Sequence, residues 1–108
     1  MARYGKETPL APGTVLRLAR EYFGSPGALG LAITRRALSE VTFEGGGGGI
    51  TITALPRVGQ PALTDVTILS REYDLWAERF LGVLTDAERG PGPLKRLIAW
   101  LRARITRA

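Results

Sequence analysis

The spacing of apolar residues along this chain changes period twice, which restricts the possible folds more than any other feature of the sequence. From Val15 to Phe23 the apolar residues recur at helical spacing. They then alternate with polar residues or glycine in four short runs between residues 29 and 68, before helical spacing returns from Trp76 to Leu84. Helical spacing is typical of an amphipathic helix, and alternation is typical of a strand with one covered face.

The order of these segments predicts the fold class. Residues 3–8 form a candidate first strand, Pro12 suits the first turn of the first helix, and Asp74 is the predicted N-cap of the second. Four strands lie between the two helices, and an additional helix ends the chain. Alternation with β-branched residues indicates an antiparallel sheet, and a single covered face gathers the helices on one side. We therefore predict an α+β fold, with an antiparallel sheet of about five strands and the β-α-β4-α order of TBP-like and helix-grip domains.

Glycine, proline and charged residues separate the last predicted helix from the rest of the chain. We assign residues 1–84 to a compact α+β domain, residues 85–92 to a linker and residues 93–108 to a basic amphipathic helix. A chain of 108 residues suits one domain with one modest core. It contains no run of about 20 apolar residues and no apolar run of signal-peptide length, so we expect a cytoplasmic protein.

The sequence contains no cysteine and no histidine. It therefore has no disulfide, no thiolate nucleophile and no cysteine-bound zinc, and it lacks the commonest general base and transition-metal ligand. We predict no catalytic residue, no metal site and no cofactor, and expect a binding domain rather than an enzyme. The 7 prolines and the absence of asparagine suit a protein from a warm habitat, although GC-rich coding gives a similar composition.

Five consecutive glycines occupy residues 45–49. They lack the Gly-Lys-Ser/Thr ending of a phosphate-binding loop, and a predicted strand rather than a helix follows them. We interpret them as a hairpin connection or glycine bulge between two strands. The alternative is a bare stretch of backbone that lets a ligand or a second chain approach closely.

Two carboxylates, Glu72 and Asp74, flank Tyr73 at a predicted strand-to-helix junction beside Arg71. A carboxylate pair with a tyrosine can perform acid–base chemistry. A capping aspartate, solvated neighbours and a packed tyrosine explain the same residues without any chemistry, and we favour that interpretation.

Aromatic side chains on the two predicted helices and at this junction are candidates for the lining of an apolar ligand pocket between helices and sheet. The candidates are Tyr22, Phe23, Tyr73, Trp76 and Phe80. Apolar pockets with a few polar groups are the usual ligand sites of proteins. A domain this small also needs aromatic residues for its core, and we favour a core role for these residues.

The last predicted helix carries the whole net charge of +5, because the basic and acidic residues before Pro93 are equal in number. Its candidates for binding an anionic surface are Lys95, Arg96, Arg102, Arg104 and Arg107. Its apolar stripe comprises Leu94, Leu97, Ile98, Leu101 and Ile105. Such a helix can lie on anionic lipid or contact nucleic acid, or it can pack on this domain or a second copy with its arginines in water. We favour packing, because a stripe this regular is poorly placed in solvent.

A family resemblance rests on four segments: VTFEGGGG at residues 41–48, ITIT at 50–53, REYDLW at 71–76 and Phe80-Leu81. They resemble a group of small uncharacterised bacterial proteins in which a glycine-rich hairpin precedes an Arg-Glu-aromatic-Asp junction and a closing helix. The resemblance covers residues 4–84 and implies no known activity. The predicted shape is also distantly similar to a helix-grip domain of the polyketide cyclase or START-like type, which implies a cavity for a small apolar molecule.

These observations lead to three functional hypotheses. The first is a non-catalytic binding or interaction domain that self-associates through its C-terminal helix or its sheet. The second is a helix-grip-like carrier or cyclase for a small apolar molecule. The third is an adaptor that binds anionic lipid or nucleic acid through the C-terminal helix.

Overall fold

The computed structural model of the chain describes residues 2–24 and 30–89. The predicted C-terminal helix lies outside the described residues. Along the described chain the elements are β1 (Ala2–Thr8), α1 (Pro12–Phe23), β2 (Ala32–Arg36), β3 (Glu40–Gly45), β4 (Gly48–Arg57), β5 (Gln60–Arg71) and α2 (Asp74–Glu88). The predicted α+β class and the order of strands and helices up to α2 are confirmed.

All five strands form one antiparallel sheet in the order β1-β5-β4-β3-β2. Strands β2 to β5 follow one another as hairpins, and β1 pairs with β5 from the other side, so β1 and β2 are the two edges. The register aligns Tyr4, Ile68, Ile52 and Val41 in one row across four strands. Because facing residues in paired strands share a face, this row and its neighbours at every second position form one apolar surface.

Helices α1 and α2 cover that apolar surface, which we call the covered face. Helix α1 packs over β3 and β4, whereas α2 packs over β1 and β5. The largest side chains fully buried between the two layers are Phe23, Phe43, Phe80, Ile50, Ile52 and Ile68. We call the opposite surface the open face, because neither described helix packs on it. A two-layer arrangement of this kind needs only one buried face per strand, which explains the alternating sequence pattern.

Strands β4 and β5 are longer than predicted. Proline disfavours regular strand pairing, yet β4 continues past Pro56 to Arg57, and β5 begins at Gln60 and includes Pro61. Val58 and Gly59 form the turn. The register shifts next to Pro56, where the proline has no N–H to donate to the neighbouring strand. This part of the hairpin extends past the end of β1, so Val58 is almost fully exposed.

Helix α2 differs from its prediction at both ends. Its N-cap is Tyr73 and not Asp74, which is instead the first helical residue and forms no capping hydrogen bond with its side chain. The predicted N-cap was wrong by one position, although an aspartate in the first turn still interacts favourably with the helix dipole. At the other end the helix continues to Glu88, so residues 85–88 of the predicted linker are helical.

Glycine 82 offers a test of the helical assignment. Gly82 lies exposed in the middle of α2, and a Cβ added there would meet no atom within 4 Å. We expect Gly82→Ala to raise the free energy of unfolding by about 0.5–1 kcal/mol, because alanine loses less backbone entropy in a helix. Gly59→Ala is the control: the space is equally open, but φ is +81°, so we expect that substitution to be destabilising. Urea denaturation of both variants would contradict the assignment if the two effects had the same sign.

Candidate binding surface

The glycine run forms the tight hairpin between β3 and β4. Gly45 pairs with Gly48, which leaves Gly46 and Gly47 as a two-residue turn. Their φ values are +60° and +82°, the left-handed backbone that a type I′ turn requires at both positions. The predicted hairpin connection is therefore confirmed.

The hairpin and the Arg-Glu-Tyr-Asp junction contact one another, although they are distant in sequence. The Tyr73 hydroxyl donates a hydrogen bond to the carbonyl oxygen of Gly45. A Cβ added to Gly48 would overlap the backbone carbonyl of Arg71 and lie 2.8 Å from the Cβ of Glu72. Glu72 itself has a φ of 71°, which turns the chain sharply from β5 toward α2. The absence of a side chain at Gly48 therefore lets the β5–α2 junction pack against the hairpin, and the hydrogen bond of the Tyr73 hydroxyl joins the two.

The fifth glycine leaves a cleft on the open face. In the register Gly49 lies between Glu44 of β3 and Arg71 of β5, and it has no side chain to fill the space between them. The cleft has a volume of about 180 Å³. We call it the glycine cleft, and its other lining residues on this face are Thr42, Thr51 and Leu69. Here a ligand or a second chain can approach the backbone of the sheet closely.

The polar groups of the glycine cleft are suited to binding rather than to catalysis. The hydroxyls of Thr42 and Thr51 lie 2.9 Å apart and hydrogen-bond to each other. Within the described part of the chain, neither Glu44 nor Arg71 forms an ion pair. The surface thus carries an acid and a base on either side of a neutral strip, neither of them paired with another described residue.

Three of the five aromatic pocket candidates come together beneath the helices. The ring centroid of Phe23 lies 4.9 Å from that of Tyr22 and 5.2 Å from that of Phe80. Phe43 of β3, which is not one of the five predicted pocket residues, completes the cluster. Its ring centroid lies 5.6 Å from that of Phe23. Phe23, Phe43 and Phe80 are fully buried. These rings fill the space between α1, α2 and the sheet at this point.

The other two candidates, Tyr73 and Trp76, are only partly buried and pack at the edge of the core. Tyr73 is half-buried against the glycine hairpin, as described above. Trp76 is half-buried on α2, and the guanidinium of Arg79 lies 4.7 Å from the centroid of its ring. This distance is typical of a cation–π contact at a protein surface.

Tyr4 is the described residue whose acid–base behaviour changes most clearly. Desolvation, together with the carboxylates of Asp74 and Glu78, raises the pKa of its hydroxyl above the usual value near 10. A negative phenolate is disfavoured beside other negative charges. Tyr4 therefore stays protonated at neutral pH, where it can donate a hydrogen bond but does not act as a base.

The five basic candidates of the last predicted helix lie outside the described residues. Among residues 2–24 and 30–89, no group of three or more acidic side chains is placed to hold a metal ion. Neither α1 nor α2 has the length and apolar character that a membrane span requires. Comparison with protein-family models, with curated proteins and with solved structures finds no significant match to this chain.

Proposed function

We propose that this chain is a non-catalytic binding domain that self-associates, the C-terminal segment of one copy covering the open face of another. The observation that carries the proposal is the open face itself, a five-stranded surface on which neither α1 nor α2 packs. The strand order and element order also support assignment to the TBP-like or helix-grip group of folds. In such two-layer folds an uncovered sheet is available to a partner.

The composition of the open face suits an amphipathic partner. Four threonines lie along its middle: Thr42, Thr51, Thr53 and Thr67. Leu69 and Leu55 stand among them, with 36% and 49% of their surfaces exposed. These side chains form a moderately apolar strip on which a leucine and isoleucine stripe can pack, with the charges of Glu44 and Arg71 beside it.

The C-terminal segment leaves the described domain at an edge of the sheet. Lys6 of β1 and Glu88 of α2 form an ion pair of 3.3 Å, which holds the end of α2 beside the edge strand. A helix over residues 93–108 would be about 24 Å long at 1.5 Å per residue. Five strands at about 4.8 Å spacing give a sheet about 19 Å wide, so such a helix is long enough to cross it.

The short connection favours exchange between two copies over packing within one. Helix α2 lies on the covered face, and packed layers are about 10 Å apart. A helix on the open face would therefore have its axis about 20 Å from the axis of α2. The four peptide steps from residue 89 to residue 93 span at most about 14 Å. A helix that begins at Pro93 therefore reaches a neighbouring copy more easily than the open face of its own sheet.

The two other hypotheses draw less support. The carrier hypothesis needs a cavity beneath the helices, whereas the aromatic rings of Phe23, Phe43 and Phe80 occupy that space. The adaptor hypothesis needs the apolar stripe of the C-terminal segment to lie on lipid, or its arginines on phosphate. Both would leave the open face without an occupant.

Light scattering on the full chain tests the proposal. We expect the wild-type chain to be a dimer and the double variant Leu97→Glu/Leu101→Glu to be a monomer, because two carboxylates on the stripe cannot be buried without cost. Ala99→Glu/Ala103→Glu is the matched control, since it adds the same charges to the opposite side of the predicted helix and should remain a dimer. A monomeric wild-type chain, or equal behaviour of the two double variants, would overturn the proposal. Salt-sensitive sedimentation of a monomeric chain with anionic vesicles or DNA would support the adaptor instead.

A further inference from the structure

A second concave surface lies on the other side of the molecule, between α1 and the connection from β2 to β3. It has a volume of about 510 Å³ and is lined by Gly13, Leu16, Arg20, Arg36, Ala37 and Leu38. We call it the arginine groove. Its volume falls within the range of about 300–1,000 Å³ that is typical of small-molecule sites.

Two arginines from different elements line the arginine groove. Arg20 belongs to α1, and Arg36 ends β2, where it pairs with Val41 of the covered face. Neither side chain forms a hydrogen bond or an ion pair with another described residue. Arg17, one turn earlier on α1, contrasts with them because it is paired with Glu21 at 3.0 Å. Two unpaired guanidinium groups beside one cavity favour an anionic ligand.

The rest of the arginine groove is apolar. Leu16 is only 4% exposed and forms part of its floor, whereas Leu38 is fully exposed at its rim. A Cβ added to Gly13 would meet no atom within 4 Å, so the glycine keeps this end of the groove open. An apolar chain placed here would cover Leu38 and lie against Leu16 without displacing any protein atom.

We propose that the arginine groove binds an anionic amphiphile, a small molecule with a carboxylate or phosphate head and a short alkyl chain. The head lies between Arg20 and Arg36, where charge complementarity and bidentate hydrogen bonds select an anion. The chain lies along Leu16 and Leu38. This site is separate from the open face, so ligand binding and self-association are independent properties of the domain.

Calorimetry on the full chain tests this assignment with three probes: octanoate, octyl phosphate and octyltrimethylammonium. We expect at least one of the two anions to bind and the cation not to bind. The double variant Arg20→Gln/Arg36→Gln should weaken binding of that anion by about tenfold or more, because both charged partners of the head are lost. Arg35→Gln is the matched control, since Arg35 pairs with Thr42 on the open face and its loss should leave binding unchanged.

A second variant separates ligand binding from folding. Gly13→Leu keeps both arginines but places a side chain in the open end of the groove, and we expect it to abolish binding while the circular dichroism spectrum and the Tm stay close to wild type. Equal binding by the wild-type chain and the double arginine variant would overturn the proposal. So would binding of the cation as tightly as the anions, or the absence of binding by both anions.

Discussion

Replacing Phe23 with alanine is expected to lower the free energy of unfolding by about 4 kcal/mol. The ring is fully buried and lies within 6 Å, centroid to centroid, of the rings of Tyr22, Phe43 and Phe80. Alanine would leave a cavity at the point where α1, α2 and the sheet meet, and three rigid aromatic neighbours are poorly able to close it.

Urea denaturation at one fixed protein concentration measures this effect, because self-association makes stability depend on concentration. Leu75→Ala is the control: Leu75 is 54% exposed, so its truncation should change stability by no more than about 0.5 kcal/mol. A loss of about 1 kcal/mol or less in Phe23→Ala would show that the aromatic cluster is not the centre of the core.

The second large effect is expected at Gly48. Substitution by alanine should lower the free energy of unfolding by about 3 kcal/mol or prevent folding, because the added methyl group would overlap the backbone of the β5–α2 junction. The overlapping atoms are the carbonyl oxygen of Arg71 and the Cβ of Glu72. Neither lies at the end of a flexible side chain, so relief requires the backbone to move away from the hairpin.

Gly49→Ala provides the comparison for this prediction. At that position an added Cβ would lie 3.3 Å from the carbonyl oxygen of Phe43 and 3.4 Å from the Cγ of Glu44, and small shifts can accommodate it. Thermal denaturation should therefore show a Tm for Gly49→Ala much closer to wild type than the Tm of Gly48→Ala. Similar Tm values for the two variants would contradict the proposed contact between hairpin and junction.

Much of this fold follows from local sequence signals. The helical spacing around Val15 and Trp76 locates the two described helices, and alternation locates the strands, because each element has one buried face. The full length of the β4–β5 hairpin could not be predicted from the sequence, because Pro56 and Pro61 disfavour a regular strand pair. The register shift that accommodates the prolines has no signature in the composition. The sequence also did not predict the pairing of β1 with β5, because no local pattern specifies which distant strand is the partner.

The candidate sites were less predictable than the fold. Helical spacing placed Tyr22 and Phe23 on one predicted helix and Phe80 on another, all as candidates for the same pocket, but Phe43 joins them only through the sheet register. Tyr73 was selected for its aromatic ring, whereas its observed contact depends on its hydroxyl. The arginine groove had no sequence signal, because Arg20 and Arg36 line one groove only when α1 packs over β3 and β4. Chain topology, and not spacing along the chain, creates such sites.

The position of β1 has a consequence for how the protein is made. Among the five described strands β1 is synthesised before the others, yet Ala2 pairs with Ser70, at the far end of β5, the last of them. Strands β2 to β5 are joined by short turns and can pair as they appear, but β1 must wait for almost the whole domain. Since closing a long loop is slow compared with closing a hairpin, we expect β1 to be the last of the described strands to enter the sheet. During that interval the free edge of β5 is exposed to other nascent chains.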